Sequence, residues 1–176
     1  ARGLRIIAVT GTNGKTTTAC YINEILKEAG FKTALFTTAV IEIAGQEKLN
    51  DLNATVPTVA KLFRFFRAAR RKGAEYVILE ATSHALCQHK FDGVPIEAAV
   101  MTNLTQDHLD YHKTMKQYAA AKAKLFEKKP KYIVLNRDDA WFDYFNQFTA
   151  REQKMTYGMN PEAEAHITHV KLYKKG

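Results

Sequence analysis

Five short runs of apolar, β-branched residues recur along the chain, and stretches with helical periodicity separate them. The runs occupy residues 4–9, 33–37, 76–79, 98–102 and 132–135. Strands that are apolar throughout are typical of parallel sheets covered on both faces, because alternation with polar residues appears where one face is solvated. Strands that alternate with helices build such sheets. The sequence therefore predicts an α/β fold with a doubly wound, mostly parallel sheet.

The chain length of 176 residues favours one domain, since domains average about 150 residues. Helical patterns begin near residues 15, 57, 114 and 138, and the third extends to about residue 128. After Arg151 two shorter segments follow, at 154–158 and 166–173. They predict part of a small antiparallel β appendage at the C-terminal end. Residues 1–150 would then be the α/β core and residues 151–176 the appendage.

Composition and charge narrow the class of protein. Hydrophobic residues make up 46% of the chain, which argues against a disordered protein. The formal net charge of +8 favours an anionic partner, such as nucleic acid, acidic lipid or a phosphorylated metabolite. Two cysteines are too few for a disulfide framework. Without a signal peptide or an apolar run of about 20 residues, the chain is expected to be cytoplasmic, with no membrane span.

The first predicted strand leads directly into a glycine-rich turn and then a helix. Residues 10–18 read T-G-T-N-G-K-T-T-T. Gly11 and Gly14 allow a tight turn that aims backbone N–H groups at one point, and Lys15 adds a full positive charge. Thr16 holds the position whose hydroxyl reaches Mg²⁺ in such loops. The spacing is a shorter variant of the common phosphate loop, which would need glycine in place of Val9. A phosphate-binding loop is predicted rather than a simple connecting turn.

A carboxylate follows the strand at residues 76–79. The segment reads Glu80-Ala81-Thr82-Ser83-His84. Ligands of open parallel sheets lie at the carboxyl ends of the strands, so Glu80 is well placed to hold Mg²⁺ beside the phosphate loop. A cap on the helix that begins at Thr82 is the alternative role for Glu80.

Two histidines and two aspartates lie within six residues after the next strand. They are Asp107, His108, Asp110 and His112. This density favours a second cation site, in which Asp107 orients the His108 ring. A purely structural loop is the alternative, because the residues match no fixed metal-ligand spacing.

A helical wheel places Lys122 in the middle of an apolar arc on the third predicted helix. Tyr118 and Leu125 are its neighbours at i−4 and i+3, and Met115 and Phe126 share the arc. A buried ammonium group costs several kcal/mol unless it is paired or chemically altered. The pattern predicts one of two arrangements. Either the long side chain of Lys122 extends to the edge of the packed region and keeps its charge in water, or it faces the same site as Glu80 and His108 and can be modified there.

In this order, the motifs resemble those of the Mur ligases, ATP-dependent enzymes that add amino acids to a cell-wall precursor. Residues 11–17 are similar to the family's ATP loop, and residues 80–84 to its E-x-S-S-H segment. Residues 102–112 resemble T-N-L-x-x-D-H-L-D-Y-H, residues 118–122 match Y-x-A-A-K, and residues 136–139 resemble N-x-D-D. The resemblance covers nearly the whole chain and is closest to the UDP-N-acetylmuramoyl-dipeptide ligase branch.

The resemblance implies a central ATP-binding domain with two Mg²⁺ sites. The ATP phosphates would contact the residues of the glycine-rich loop, which are Gly11, Thr12, Asn13, Gly14, Lys15, Thr16 and Thr17. Thr16 and Glu80 would hold the first Mg²⁺. His108 and Lys122, carbamylated by CO₂, would serve the second.

Further residues are assigned to nucleotide and substrate by the same resemblance. Asn103 would lie near the phosphates, while Asn136 and Asp139 would contact adenine and ribose. The substrate would meet Ser83, His84 and Thr55, the last within T-V-P where the family often shows T-T-P. Lys15, Lys122 and His108 are then the expected catalytic residues.

The implied reaction activates the carboxylate of a UDP-muramyl-peptide as an acyl phosphate, which an incoming amino acid attacks to form an amide. A UDP-binding N-terminal domain and an amino-acid-binding C-terminal domain would be absent, so the fragment alone is expected to be inactive. The alternatives are a nucleotide-binding module without ligase activity and a related ligase of the cyanophycin or folylpolyglutamate type. Nucleic-acid binding is a weaker alternative, suggested by five cations around Phe65: Lys61, Arg64, Arg67, Arg71 and Lys72.

Overall fold

The computed structural model describes residues 3–50 and 58–169. Within these ranges nine strands form one sheet in the order β4-β3-β2-β5-β1-β6-β7-β8-β9. The strands are β1 (Arg5–Thr10), β2 (Thr33–Phe36), β3 (Val40–Ile43), β4 (Gln46–Leu49), β5 (Tyr76–Glu80), β6 (Ala98–Met101), β7 (Tyr132–Asn136), β8 (Gln153–Gly158) and β9 (Ala165–His166). The helices are α1 (Lys15–Glu28), α2 (Val59–Arg71), α3 (Ser83–Cys87), α4 (Leu109–His112), α5 (Met115–Ala123) and α6 (Phe142–Asn146).

The centre of the sheet is parallel, as the apolar runs predict. β1 lies between β5 and β6, and Ile7 is level with Ile78 on one side and Ala98 on the other. All five residues of β5 are buried. Helices cover both faces: α1 packs against Val9 and its neighbours, while α2, α3, α5 and α6 pack on the opposite face. The predicted doubly wound α/β architecture is confirmed.

An antiparallel hairpin that was not predicted extends the sheet beyond β2. β3 pairs with β2, and β4 pairs with β3. Ala44 and Gly45, between β3 and β4, both have positive φ, at 49° and 80°. Two such residues form the tight turn whose twist matches the flanking strands of a hairpin.

The antiparallel appendage expected at the C-terminal end is wrong. β8 pairs in parallel with β7, placing Met155 level with Val134, and β9 pairs in parallel with β8. The connection from β7 to β8 contains α6, which returns the chain to the starting end of the sheet, so the next strand runs in the same direction. Residues 170–173 of the predicted second segment lie outside the described part of the chain.

Two helices are shorter than their sequence patterns predict. α5 ends at Ala123, and turns continue the segment toward residue 128. α6 begins at Phe142 rather than at residue 138. Asp139 lies in the turn before it, where its Oδ1 accepts a hydrogen bond of 2.9 Å from the backbone N–H of Trp141. Across residues 3–50 and 58–169, no helix combines the length and apolar character needed to cross a bilayer.

Candidate nucleotide-binding site

The glycine-rich loop lies at the carboxyl end of β1 and opens directly into α1. Gly14 is the residue before the helix and has a φ of 79°. The Nζ of Lys15 donates a 2.7 Å hydrogen bond to the carbonyl oxygen of Thr12 and lies 3.9 Å from Glu80 Oε1. The first turn of α1 contains no acidic residue. Free N–H groups at this helix start and the Lys15 ammonium make the loop a site for an anion such as a phosphate.

Asn103, just after β6, holds the loop in shape. Its carbonyl oxygen accepts from the N–H of Thr12 at 2.8 Å, and its Oδ1 accepts from the N–H of Asn13 at 3.0 Å. Asn103 Nδ2 and Thr102 Oγ1 both donate to the carbonyl oxygen of Asn13, at 3.0 and 2.7 Å. Within the structure, Asn103 therefore acts on the loop backbone, beside the place where phosphates are expected.

We expect Gly11→Ala to destabilise the protein by about 2–4 kcal/mol, because the change adds a steric clash to backbone strain. A Cβ at Gly11, where φ is 148°, would lie 1.9 Å from Thr102 Oγ1 and 3.1 Å from the backbone nitrogen of Asn103. Rotation of Thr102 away would break its hydrogen bond to Asn13. Urea unfolding measures the loss in free energy.

Gly93→Ala is the matched control for this substitution. Gly93 also has positive φ, at 71°, but a Cβ there meets no atom within 4 Å. It should cost about 1 kcal/mol, the backbone term alone. Equal losses at the two positions would contradict close contact between the loop and β6.

Glu80 ends β5 with its side chain buried at the base of the cleft. Its Oε2 accepts hydrogen bonds from Thr16 Oγ1 at 2.8 Å, Thr38 Oγ1 at 2.9 Å and Thr38 N at 3.0 Å. Thr82, not Glu80, caps α3, since its Oγ1 accepts from Ala85 N. The capping alternative for Glu80 is therefore wrong.

Thr38 was missed by the sequence analysis. It follows β2, which lies directly beside β5 in the sheet, so the carboxyl ends of the two strands meet. The topological rule that finds Glu80 also applies to Thr38, although a threonine in a turn carries little signal by itself.

Hard oxygen donors of this kind fit Mg²⁺. The Thr16 and Thr38 hydroxyls and the Glu80 carboxylate lie within hydrogen-bond distance of one another. No group of three or more His, Cys, Asp or Glu side chains in the described ranges could hold a metal ion. The set therefore suits a cation that shares its coordination with water and phosphate oxygens rather than one enclosed by protein ligands.

A cleft of about 630 Å³ opens above these residues. Its lining includes the phosphate loop, Thr38, Glu80, His84 and His108. The structure thus brings the phosphate loop, the buried carboxylate and two of the predicted histidines to one surface.

Lys122 is buried as the helical wheel predicts, with 1% of its surface exposed. Its Nζ donates a 2.7 Å hydrogen bond to the carbonyl oxygen of Gly11 and lies 4.4 Å from the centre of the Tyr118 ring. Burial, and then the charge of Lys15, lowers the pKa of Lys122 to about 7. The alternative in which the side chain reaches the rim is therefore wrong, because the ammonium lies beneath the phosphate loop.

Aromatic rings connect the histidines to Tyr118. His112 Nε2 lies 2.9 Å from Ser83 Oγ, and the His112 ring is 5.0 Å from that of Tyr118. Burial, followed by neighbouring histidine charge, lowers the pKa of both His84 and His112. Ser83 is buried, and its hydroxyl is hydrogen-bonded to His112. Of the two predicted substrate residues Ser83 and His84, only His84 lines the cleft.

His108 is half-exposed, in a turn where its φ is 51°. Asp107 Oδ1 accepts a 2.8 Å hydrogen bond from the His108 backbone N–H, and Asp107 Oδ2 lies 3.6 Å from His108 Nε2. The carboxylate is therefore next to the ring, as predicted, but fixes the backbone more closely than the imidazole.

Asn136 and Asp139 tie the loop after β7 to the loop after β6. Asn136 Nδ2 donates 2.9 Å to the carbonyl oxygen of Thr102, and Asp139 Oδ2 accepts 2.7 Å from the backbone N–H of Leu104. Neither residue lines the cleft. Thr55, expected to meet the substrate, lies outside the described residues.

Comparison with known proteins gives one consistent result. Residues 9–176 match the model of the Mur ligase middle domain. The chain is 40% identical to UDP-N-acetylmuramoyl-L-alanyl-D-glutamate–2,6-diaminopimelate ligase from Geobacillus kaustophilus, with 98% of this chain and 36% of that protein covered. It is 43% identical to the protein of the same name from Aquifex aeolicus, with coverages of 88% and 32%.

Solved structures agree. A structure of a ligase with that same name has a TM-score of 0.81 at 37% identity, over 92% of this chain and 34% of that one. MurF from Acinetobacter baumannii, at 19% identity and a TM-score of 0.71 over 97% and 34% of the two chains, is similar in fold. The chain spans about a third of the length of these relatives. It belongs to the Mur ligase family, and residues 9–176 correspond to that family's middle domain.

Proposed function

We propose that this chain is the ATP-binding and carboxylate-activating part of a ligase that adds an amino acid to a UDP-N-acetylmuramoyl-peptide. The observation that carries the proposal is the convergence of Lys15, Glu80 and Lys122 around one phosphate loop. The names of relatives about 40% identical to the chain support the substrate class.

The residues of the loop would act by positioning and by neutralising charge. Lys15 and the N–H groups at the start of α1 would bind the ATP phosphates, with Thr16 and Glu80 as the protein ligands of Mg²⁺. Bound Mg²⁺ would offset charge on the phosphate oxygens. Transfer of a phosphoryl group to the substrate carboxylate would give an acyl phosphate, which the incoming amine attacks. Such chemistry needs little covalent help from the protein.

A second cation site would use His108 and a carbamate on Lys122. The support is geometric: the His108 ring and Lys122 Nζ lie 6.1 and 4.4 Å from the centre of the same Tyr118 ring. With a pKa of about 7, Lys122 is in part a neutral amine at neutral pH. A neutral amine adds to the carbon of CO₂ and releases a proton, which converts a costly buried cation into an anion that can bind metal.

We further propose which residues border the nucleotide and the muramyl-peptide substrate. Asn103 would border the phosphates, Asn136 and Asp139 the adenosine, and Ser83, His84 and Thr55 the muramyl-peptide. UDP-binding and amino-acid-binding domains of the same protein would complete the site, and the enzyme would work in the cytoplasm.

A ligation assay on the full-length protein tests the proposal. With ATP, Mg²⁺, UDP-N-acetylmuramoyl-L-Ala-D-Glu and a panel of amino acids, we expect one amide and one ADP for each phosphate released. Nucleotide binding without ligation would instead identify a non-ligating module. Turnover only with folate or polyaspartate acceptors would identify one of the related ligases. The 176-residue chain alone should bind nucleotide and form no amide.

A further inference from the structure

The outward surface of α2 carries most of the net charge of the chain. We call this surface the α2 basic face, and it consists of six exposed cations: Lys61, Arg64, Arg67, Arg70, Arg71 and Lys72. Residues 52–74 contain no Asp or Glu, so these six account for all but two of the +8 charges. The ATP loop therefore does not explain the positive charge of this protein, since that charge lies on another element.

The periodicity of α2 arranges three of these cations along one line. Leu62, Phe66 and Ala69 are buried against the sheet. At 100° per residue, Arg64, Arg67 and Arg71 lie opposite that buried stripe, with the other three cations on its flanks. The rise of the helix separates Arg64 from Arg71 by roughly 10 Å along the axis. A flat surface can contact Arg64, Arg67 and Arg71 at once, whereas a small ligand needs a concave site.

The cations of the α2 basic face have no ion-pair partners within residues 3–50 and 58–169. Glu47 on β4 lines a groove together with Arg71 and Lys72 but forms no salt bridge with them. By contrast, Lys27 on α1 is paired with Glu24 at 2.9 Å and Glu42 at 3.1 Å. Uncompensated charge of one sign destabilises a compact state, so its concentration on one helix favours an external anionic partner.

Two exposed apolar side chains border the cations. Val59 is 43% exposed and Phe63 is 37% exposed, and they are neighbours at i and i+4 on α2. Phe65, which the sequence suggested as a base-stacking residue, is 6% exposed, with its ring 5.1 Å from that of Phe36. The base-stacking role suggested for Phe65 is therefore wrong, because the amphipathic pattern of α2 places this ring in the core.

We propose that the α2 basic face docks on the surface of an anionic phospholipid bilayer. Four to eight Lys and Arg residues on an amphipathic helix are typical of binding to acidic lipid headgroups. Val59 and Phe63 would lie at the boundary between headgroups and acyl chains, where apolar groups beside cations are favourable. The helix would lie on the bilayer without crossing it. This inference is independent of the ligase proposal.

Vesicle sedimentation of the full-length protein tests the docking. We expect binding to vesicles of phosphatidylglycerol and phosphatidylcholine but not to pure phosphatidylcholine. Each cation is worth roughly a fivefold change in partitioning, so R64E/R67E/R71E should lower the partition coefficient by about 100-fold or more. Raising the salt from 0.1 to 1 M should release the wild-type protein, as the screening length falls from about 10 to 3 Å.

The control is K116E/K129E/R151E, which changes the charge equally at three exposed positions outside α2. It should retain binding within about fivefold. Equal loss in both triple variants, or equal binding to neutral vesicles, would overturn the proposal. Tighter binding to duplex or single-stranded DNA than to the anionic vesicles at physiological salt would also overturn it. If R64E/R67E/R71E does not fold, R64Q/R67Q/R71Q gives the same comparison. The ligation rate in solution should be unchanged in each folded variant.

Discussion

Replacing Lys15 by Met should lower the ligation rate of the full-length protein by about 10²–10³-fold, the usual cost of removing one positioned charge from a developing anion. Lys15 is the one cation of the phosphate loop, and its Nζ is already placed by the Thr12 carbonyl oxygen at 2.7 Å. Methionine keeps most of the length of the side chain but removes its charge and its hydrogen bond to Thr12. Nucleotide affinity should fall with the rate, because the loop amides alone cannot balance the phosphates.

Calorimetric titration with ATP and Mg²⁺, together with steady-state rates, measures both effects. Lys61→Met is the matched control, since it removes one exposed charge that does not line the cleft and should change neither quantity. Thermal unfolding should show a small change for Lys15→Met, because Glu80 keeps the hydrogen bonds from Thr16 and Thr38. A variant with normal ATP affinity would contradict the assignment of Lys15 to the phosphates.

Lys122→Met should have effects of opposite sign on stability and on activity. Burial of the ammonium is costly, and methionine fills a similar volume without charge. In buffer without bicarbonate we expect stabilisation of roughly 1–3 kcal/mol, after subtracting about 1 kcal/mol for the hydrogen bond lost at the Gly11 carbonyl oxygen. Ligation should nevertheless fall by about 100-fold or more if Lys122 serves the second cation.

The gain from Lys122→Met should depend on pH in a defined direction. In the folded state the pKa of Lys122 is lowered from 10.5 to about 7, so between these values the unfolded chain binds more protons than the folded chain. The stability contribution of Lys122 therefore rises with pH across this interval. The variant should show its largest advantage at pH 7 and below, and the advantage should shrink as the pH approaches 10.

Urea unfolding at several pH values measures this dependence. Lys116→Met is the control, because Lys116 lies on the same helix but is exposed. It should show neither the stabilisation nor the pH dependence. A Lys122→Met protein that is less stable at pH 7, or one that ligates normally, would contradict the role assigned to Lys122.

The sequence predicted the burial of Lys122 because helical period is a local property. Three residues of its arc, Tyr118, Leu125 and Phe126, are fully buried in the structure. Phe65 was instead judged by the Lys and Arg residues beside it, and its position on the apolar stripe of α2 was overlooked. Periodicity was the better guide in both cases, since it reports which face of a helix meets the sheet.

Contacts between distant loops could not be predicted in the same way. The roles of Asn136 and Asp139 in joining the loops after β6 and β7 depend on strand order, which no local pattern encodes. The hairpin of β3 and β4 could have been predicted from the sequence, because Gly45 lies between two short segments at the spacing typical of a hairpin. The direction of β8 required knowledge that α6 crosses back over the sheet.

The position of β1 in the middle of the sheet has a consequence for synthesis of the protein. Its neighbours β5 and β6 begin at Tyr76 and Ala98, long after β1 has left the ribosome. At roughly 5–20 residues per second, β1 waits several seconds for either partner. The loop that follows waits as well, because Asn103 supplies the hydrogen bonds that shape it. A nascent chain therefore cannot acquire its nucleotide site until more than half of these residues have been made, and until then its apolar first strand is unpaired and prone to aggregation.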